Sequence, residues 1–488
     1  MELVLIIYKV LTRTTALLCA IVALVYFFFL RPPREPKNTP AVPFCVTLIP
    51  LFRDTDQKVL YNKHIREPLL KYGAIKIFFG SQWNLLVERP SYVAQIFKHE
   101  DEYQKSGNQK KIPGSVLASF LGDNIISSHG DVWRLYQEIM KPGIQGGRSI
   151  DAVRNNAKLL LSQLSDAMES SKGGPLPVGE FIQRYTIANL VQTLLGVDIN
   201  MDQRTNLQAD LMNFPYLDTL GLASREKARR DAGQFTDRAR GMDLERQDPE
   251  DAALPENQYK LVGRRLTEAW QEGRITEQQL RDNITIVFVA GQENPQLALL
   301  STLHLLAKHP EWQNSLHAEA TTLETDSPTA DQLNDLLHLT TCVNESLRLM
   351  PLIGQLINRL ATSSLVLGDD HHHVPEGTYV GYNSYATNCD PEVWGKDADE
   401  FVPGRWGNTI EEVRKQYRRR KARAEFITFH GGRRACLGES FAVLELKVTI
   451  FVLTRYLRWR VDPEWPEKMT PAGPLAPRGL RLVFEKRS

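Results

Sequence analysis

The feature that most constrains this chain is FITFHGGRRACLGESFAVLELKV, residues 426 to 448. A glycine pair, Gly431 and Gly432, leads through Arg434 to Cys436, Gly438 follows two residues later, and an apolar helical pattern then begins. A cysteine at the entrance of a helix gains from the partial positive charge of the helix N-terminus and from nearby arginines, both of which favour the thiolate. A thiolate is a strong ligand for iron, and haem held this way has electron density pushed onto the metal, which favours O–O cleavage. The other cysteines, Cys19, Cys45, Cys342 and Cys389, read as small buried hydrophobes. Five cysteines without CxxC spacing exclude a disulfide scaffold and point to a reducing compartment for most of the chain.

Phe429, Gly432, Arg434, Cys436 and Gly438 complete the pattern FxxGxRxCxG, which resembles the haem loop of the cytochrome P450 family. The resemblance covers nearly the whole chain. It implies a mainly α fold with small β-sheets (α+β), Cys436 as axial ligand of haem b, and a monooxygenase cycle. It further implies that the two electrons come from NADPH through NADPH-cytochrome P450 reductase. NESLRL sets Glu345 and Arg348 three apart, on one helix face where carboxylate and guanidinium pair, and FVPGRW adds Arg405. By resemblance these three form the buried triad behind the haem loop. Trp133, Arg434 and Arg359 are implied as partners of the haem propionates, and Gln137 stands where the family often has a basic residue.

AGQENPQ, residues 290 to 296, lies inside a long apolar helical pattern and is expected to interrupt it. Pro295 lacks an N–H, so the carbonyl of Gly291 loses its helical partner. Two readings stay open on the residues alone, a groove for a small polar ligand and a kink packed against a neighbour. The resemblance implies an acidic residue followed by a threonine that relay protons during dioxygen activation. Gly291 and Glu293 match, but Asn294 replaces the threonine, and an amide cannot pass on a proton as a hydroxyl with bound water does.

The N-terminus carries a second strong signal. Thr14 to Leu30 is a 17-residue run without a charge, roughly 25 Å of helix and near the lower limit for spanning a bilayer. Arg31, Arg34 and Lys37 follow among Pro32, Pro33, Pro36, Pro40 and Pro43. A cleaved signal peptide competes, but no small-residue cleavage site precedes the prolines. The expected organisation is a transmembrane anchor at 1–31, a proline-rich semi-rigid spacer at 32–50 and a catalytic domain at 51–488. The positive flank places that domain in the cytosol, on the endoplasmic reticulum membrane as a single-pass protein. A formal net charge of +1 argues against a general nucleic-acid binder.

Strands are expected at AIKIFF (74–79) and NLLVERP (84–90), a hairpin tip at VPEGTYV, helices from about 130 to 350 and over 442–456, and a charge-rich surface helix at 221–257. His371, His372 and His373 read as exposed loop. EEVRKQYRRRKAR, residues 411 to 423, precedes the cysteine loop and is a candidate docking patch for an acidic reductase. The pocket is expected from the segments near Lys105 to Ile126, from 205 to 245 and after Pro351. The motif set is most similar to a fungal subgroup that includes the dityrosine-forming enzymes, which implies oxidative coupling of tyrosine-derived phenols. A hydroxylase of a lipophilic metabolite, a reductase-independent isomerase or dehydratase of peroxides, and a non-enzymatic haem-binding protein remain the alternatives.

Overall fold

The computed structural model describes residues 2–146, 150–196, 261–368 and 372–487; the expected 221–257 helix and the 205–245 pocket segment lie outside them. The helices used below are α1 (Glu2–Val25), α2 (Gly130–Gln145), α3 (Gly179–Leu190), α4 (Glu277–Lys308), α5 (Leu337–Leu349), α6 (Ile410–Ala422) and α7 (Glu439–Tyr456). The described chain also holds ten short strands. β1 (Ala74–Phe79), β2 (Gln82–Val87), β3 (Tyr103–Lys105), β5 (Gln355–Ala361) and β8 (Tyr379–Asn383) form a sheet in the order β1-β2-β8-β5-β3. β4 (Leu176–Pro177), β10 (Arg481–Lys486) and β9 (Leu457–Val461) form a second, and β6 (Leu365–Leu367) with β7 (His372–Val374) a third.

The apolar core lies among the helices, with α4 crossing it. Leu280, Ile284, Phe288, Leu299 and Leu303 of α4 are all buried, as are Val448, Ile450 and Leu453 of α7. Contrary to expectation, α4 runs unbroken for 32 residues with Pro295 inside it. Its capping box, Thr276 with Gln279, fixes one end. Packing on both flanks outweighs the local cost of a proline, which is about 3 kcal/mol. Gly291 lies close to α3, where a Cβ would stand 2.6 Å from Leu190 Cδ1 and that side chain would have to shift.

VPEGTYV does turn, with Gly377 at φ +79, but it joins β7 to β8, which belong to different sheets, so it is no hairpin. Of the histidine tract, His371 lies outside the described residues, while His372 is buried in β7 with Nδ1 2.8 Å from Thr39 Oγ1. A strand that faces the core on alternate residues buries His372 and leaves His373 outside. Cys342 and Cys389 are buried as expected, but Cys19 and Cys45 are exposed because their helices lie at the periphery.

Among the described residues no helix is long and apolar enough to cross a membrane. The charge-free run is split, since α1 ends at Val25 and the chain widens into a π-helical turn at Tyr26–Leu30. Leu17, Leu18, Ile21, Val22 and Leu24 of α1 are exposed. The expected spacer is packed on the protein: Lys76 of β1 donates its N–H to Pro40 O at 2.8 Å, and Val42 donates to Lys76 O at 2.9 Å.

Candidate functional site

The loop that precedes α7 is built by close packing. Gly432 has φ +64, and a Cβ on it would lie 2.6 Å from Phe97 O, so only glycine fits. Cys436 then donates its N–H to Phe429 O at 2.9 Å, closing the loop, and Gly438 is the N-cap residue of α7. Although enclosed, Cys436 has accessible surface, because it borders a cavity of about 280 Å³ on one side and an open groove of about 730 Å³ on the other. Burial pushes its thiol pKa up, while the main-chain N–H groups of Gly438 and Glu439 pull it down. The cation that assists is Lys421. The expected arginines turn elsewhere: Arg433 pairs with Asp101 and Arg434 with Glu100.

Cys436, Phe429, Arg434, Gly438, Trp133, Gly291 and Asn294 all line the cavity, with Gln137 one turn beyond Trp133. Gly432, Arg359 and Glu293 are not on its wall. Lys105, Ile125 and Ile126 line it from one expected segment, and Leu352, Ile353 and Leu356 from another. Asn294 donates its amide N–H to Ala290 O at 3.2 Å, inside its own helix. The neighbouring Glu293 has its pKa raised by burial, and among the described residues no cation pairs with it.

One rim of the cavity gathers positive charge. Arg434 Nη1 meets Glu100 Oε1 at 3.0 Å, Nη2 reaches Ser128 O at 3.0 Å, and the guanidinium lies 4.5 Å from the centre of the Trp133 ring. Arg359 Nη1 is 3.6 Å from the same Glu100 oxygen. The antiparallel pairing of β3 with β5 puts Lys105 directly opposite Arg359. Like charges across a strand pair repel, and burial, with Arg359 and Arg434 beside it, pushes the Lys105 ammonium well below the usual lysine range. His430, 3.0 Å from Tyr382 OH, is pushed down to about 3 by burial and by Lys105 and Arg359. Three buried basic side chains thus face one carboxylate, and Arg359 Nε and Glu100 Oε2 are buried with no hydrogen-bond partner among the described residues. The excess of basic groups and the unmet Arg359 N–H suit an anion. Lys105 falls at the edge of an expected pocket segment, but its place opposite Arg359 comes from the β3–β5 register, and Glu100 and His430 were not singled out by the sequence.

Behind the loop, five donors converge on the fully buried Glu345. Arg348 Nε and Nη2 each lie 2.8 Å from its oxygens, Arg405 Nε 2.8 Å, and Val402 N and Trp406 Nε1 3.0 Å. Arg348 also donates to Asn388 O at 2.8 Å and Ala398 O at 2.7 Å. The three residues expected together are together, and Trp406 is a further member that the sequence did not single out.

The family model described as Cytochrome P450 matches residues 39–482. Cytochrome P450-DIT2 of Saccharomyces cerevisiae is 41% identical over 496 residues, spanning 96% of this chain and 98% of that protein. Cytochrome P450 monooxygenase xanG of Aspergillus fumigatus is 35% identical across 91% of this chain and 86% of its own length. Echinocystic acid 23-monooxygenase of Saponaria officinalis is 24% identical, with 90% and 87% covered. The match spans the haem-loop motif, the ExxR pair and the helices that carry them: the chain belongs to the cytochrome P450 family of monooxygenases.

Proposed function

We propose that this monooxygenase holds haem b through Cys436 and couples tyrosine-derived phenols oxidatively, with electrons from NADPH delivered by NADPH-cytochrome P450 reductase. The observation that carries the substrate reading is similarity to the fungal Cytochrome P450-DIT2 over nearly all of both chains, together with the motif set noted above. The residues present fit the cofactor. Among the described residues Cys436 is the one cysteine on the cavity wall; Lys105 and Arg434 line the same wall, and Arg359 stands behind them on Glu100, so basic side chains outnumber the carboxylate where two propionates would need partners.

Bound haem supplies dioxygen activation and oxidising power. The chain does the rest. Cys436 presents its sulfur at the start of α7, held by the loop and by the triad behind it. Lys105 and Arg434 on the wall, with Arg359 beside them, would hold the carboxylates, whose negative charge favours the ammonium form of Lys105. Ile286, Val287, Leu352 and Leu356 exclude water from the cavity, and Gln137 and Asn294 offer hydrogen-bonding groups to a phenol. Glu293, whose pKa burial raises, is the acidic group next to Asn294 along α4 and the candidate proton source. Coupling takes one hydrogen from each of two phenols; these two, with two electrons and two protons, convert dioxygen to two waters, and the rings join without gaining oxygen.

α1 is proposed as the anchor in the endoplasmic reticulum membrane, with the catalytic domain in the cytosol. Its exposed apolar residues and the basic Arg31, Arg34 and Lys37 beyond it support this. The reductase is proposed to dock on α6, whose Arg414 and Arg418 line the groove that reaches Cys436.

The test is the reduced, carbon monoxide-bound absorption spectrum beside that of Cys436→Ala. A thiolate-type Soret band that the variant lacks is expected; a folded, haem-loaded protein without it would end the assignment. Incubation with N-acylated or isocyano tyrosine analogues, reductase and NADPH should then yield a dimer by mass spectrometry, and its absence would rule against coupling.

A further inference from the structure

Lys76 is a buried lysine with no carboxylate at hydrogen-bonding distance among the described residues. It sits in β1 at 7% exposure, between the buried apolar residues Ile75 and Ile77. Its ammonium donates to the carbonyl oxygens of Pro33 at 2.9 Å, Arg34 at 3.3 Å and Pro36 at 3.1 Å. An ammonium has three hydrogens, and three carbonyls take them all. Glu35 is the charged neighbour that favours the cation, and its own carboxylate faces Lys37 at 3.8 Å.

This arrangement is costly unless it does something. Burial lowers the pKa of Lys76, and an aliphatic residue would serve the strand more cheaply. The prolines explain the choice. Lacking N–H groups, Pro32, Pro33 and Pro36 cannot join a regular ladder with β1, so their stretch of chain needs a donor from a side chain. The main chain of Lys76 completes the grip through Pro40 O and Val42 N, where Ala41 forms a parallel bridge with it. On the other side, the helical turn after α1 closes with Arg31 N donating to Tyr26 O at 2.8 Å. Leu30 and Pro33 are therefore separated by Arg31 and Pro32 alone, and three steps of chain span at most about 11 Å.

We propose that Lys76 is a positioning clamp that locks the segment after the N-terminal helix onto the sheet, and so fixes the tilt of the catalytic domain over the bilayer. The proposal rests on the reading of α1 as a membrane anchor, which flotation of the full-length protein with phosphatidylcholine vesicles tests by itself.

The clamp is tested on the holoenzyme in nanodiscs with Lys76→Met, which keeps the packing and removes the donors. Trypsin cleavage after Arg34 and Lys37 should become at least tenfold faster, and polarised absorption on oriented membranes should show a broadened haem tilt. The carbon monoxide spectrum should be unchanged. Cleavage as slow as in the wild type overturns the clamp whether or not the protein floats. A second variant, with Gly-Ser-Gly inserted between Arg31 and Pro32, leaves Lys76 and its carbonyls in place. It should keep the slow cleavage yet broaden the tilt. An unbroadened tilt there overturns the orienting role, even if Lys76→Met fails to fold.

Discussion

Asn388 donates an amide hydrogen to Thr428 Oγ1 at 2.8 Å, and through this contact the buried triad is joined to the haem loop. The same side chain donates to Arg348 O at 3.2 Å and accepts from Ile427 N at 2.9 Å, while Thr428 donates to Leu347 O at 2.7 Å. The end of α5 and the residues just before Phe429 are therefore one hydrogen-bonded unit. Asn388→Ala strands the buried Ile427 N–H, a loss of about 1–3 kcal/mol. Chemical denaturation should show that loss, and haem should transfer faster to apomyoglobin. Unchanged transfer would mean that the loop is held without the triad's help.

Glu345 satisfies two guanidinium groups, a main-chain N–H and an indole N–H at once. Glu345→Gln keeps the shape but takes the anion from the fully buried Arg348, while Arg405 keeps Asp397, and a loss of about 3–5 kcal/mol is expected. Arg405→Lys is milder, since Arg405 is also held by Trp394 O at 3.0 Å and Asp397 O at 2.9 Å and lies nearer the surface. Denaturant midpoints of the two variants should fall in that order; the reverse order would put Arg405, not Glu345, at the centre of the set.

How far the site could be read from sequence follows from the distance over which each residue acts. Cys436, Gly432 and Gly438 lie within one loop, and Glu345 with Arg348 within one helical turn, so spacing alone reveals them. Lys105 is set opposite Arg359 by the pairing of β3 with β5, which joins segments more than 250 residues apart, and Glu100 meets Arg434 of the haem loop from 334 residues away. No local pattern announces that register. Lys76 was hidden for the same reason, since its partners are carbonyls, which every residue has. At Pro295 the error ran the other way: local propensity predicted a break, and the packing of α4 against its neighbours overrode it.

The basic run on α6 is divided by its partners. Arg414 pairs with Asp335, Lys421 with Glu439, and Arg420 with Glu425 at 2.8 Å while lying 4.4 Å from the Trp394 ring centre. Lys415, Arg418 and Arg419 are exposed, and among the described residues none is in an ion pair. Reversing these three to Glu should slow reduction by the reductase several-fold at low ionic strength. The gap to wild type should narrow near 0.5 M salt, where the screening length falls below about 5 Å. Stopped-flow reduction at both salt levels measures this, and an equal slowing at both would remove α6 from the docking surface. Arg420→Glu should instead lower stability, because that cation is part of the fold.

Glu445 of α7 is fully buried, with Oε1 accepting from Asn189 Nδ2 at 2.7 Å and Oε2 without a hydrogen-bond partner among the described residues. Burial raises its pKa from the ordinary glutamate value of 4.5 to about 8, so the folded protein keeps a proton that the unfolded chain releases. The folded state thus binds more protons between those two values, and stability falls as pH rises through that window. Holding one extra proton costs about 1.4 kcal/mol for each pH unit climbed, so the loss by pH 8 is on the order of a few kcal/mol. Glu445→Gln can still accept from Asn189 and carries no charge. Its unfolding midpoint should match the wild type near pH 5 and exceed it by several degrees at pH 8. Glu88, also raised by burial, is present in both proteins and drops out of the difference. Parallel curves across the range would mean that Glu445 is ionised in the fold, with a cation or water supplying what Oε2 lacks.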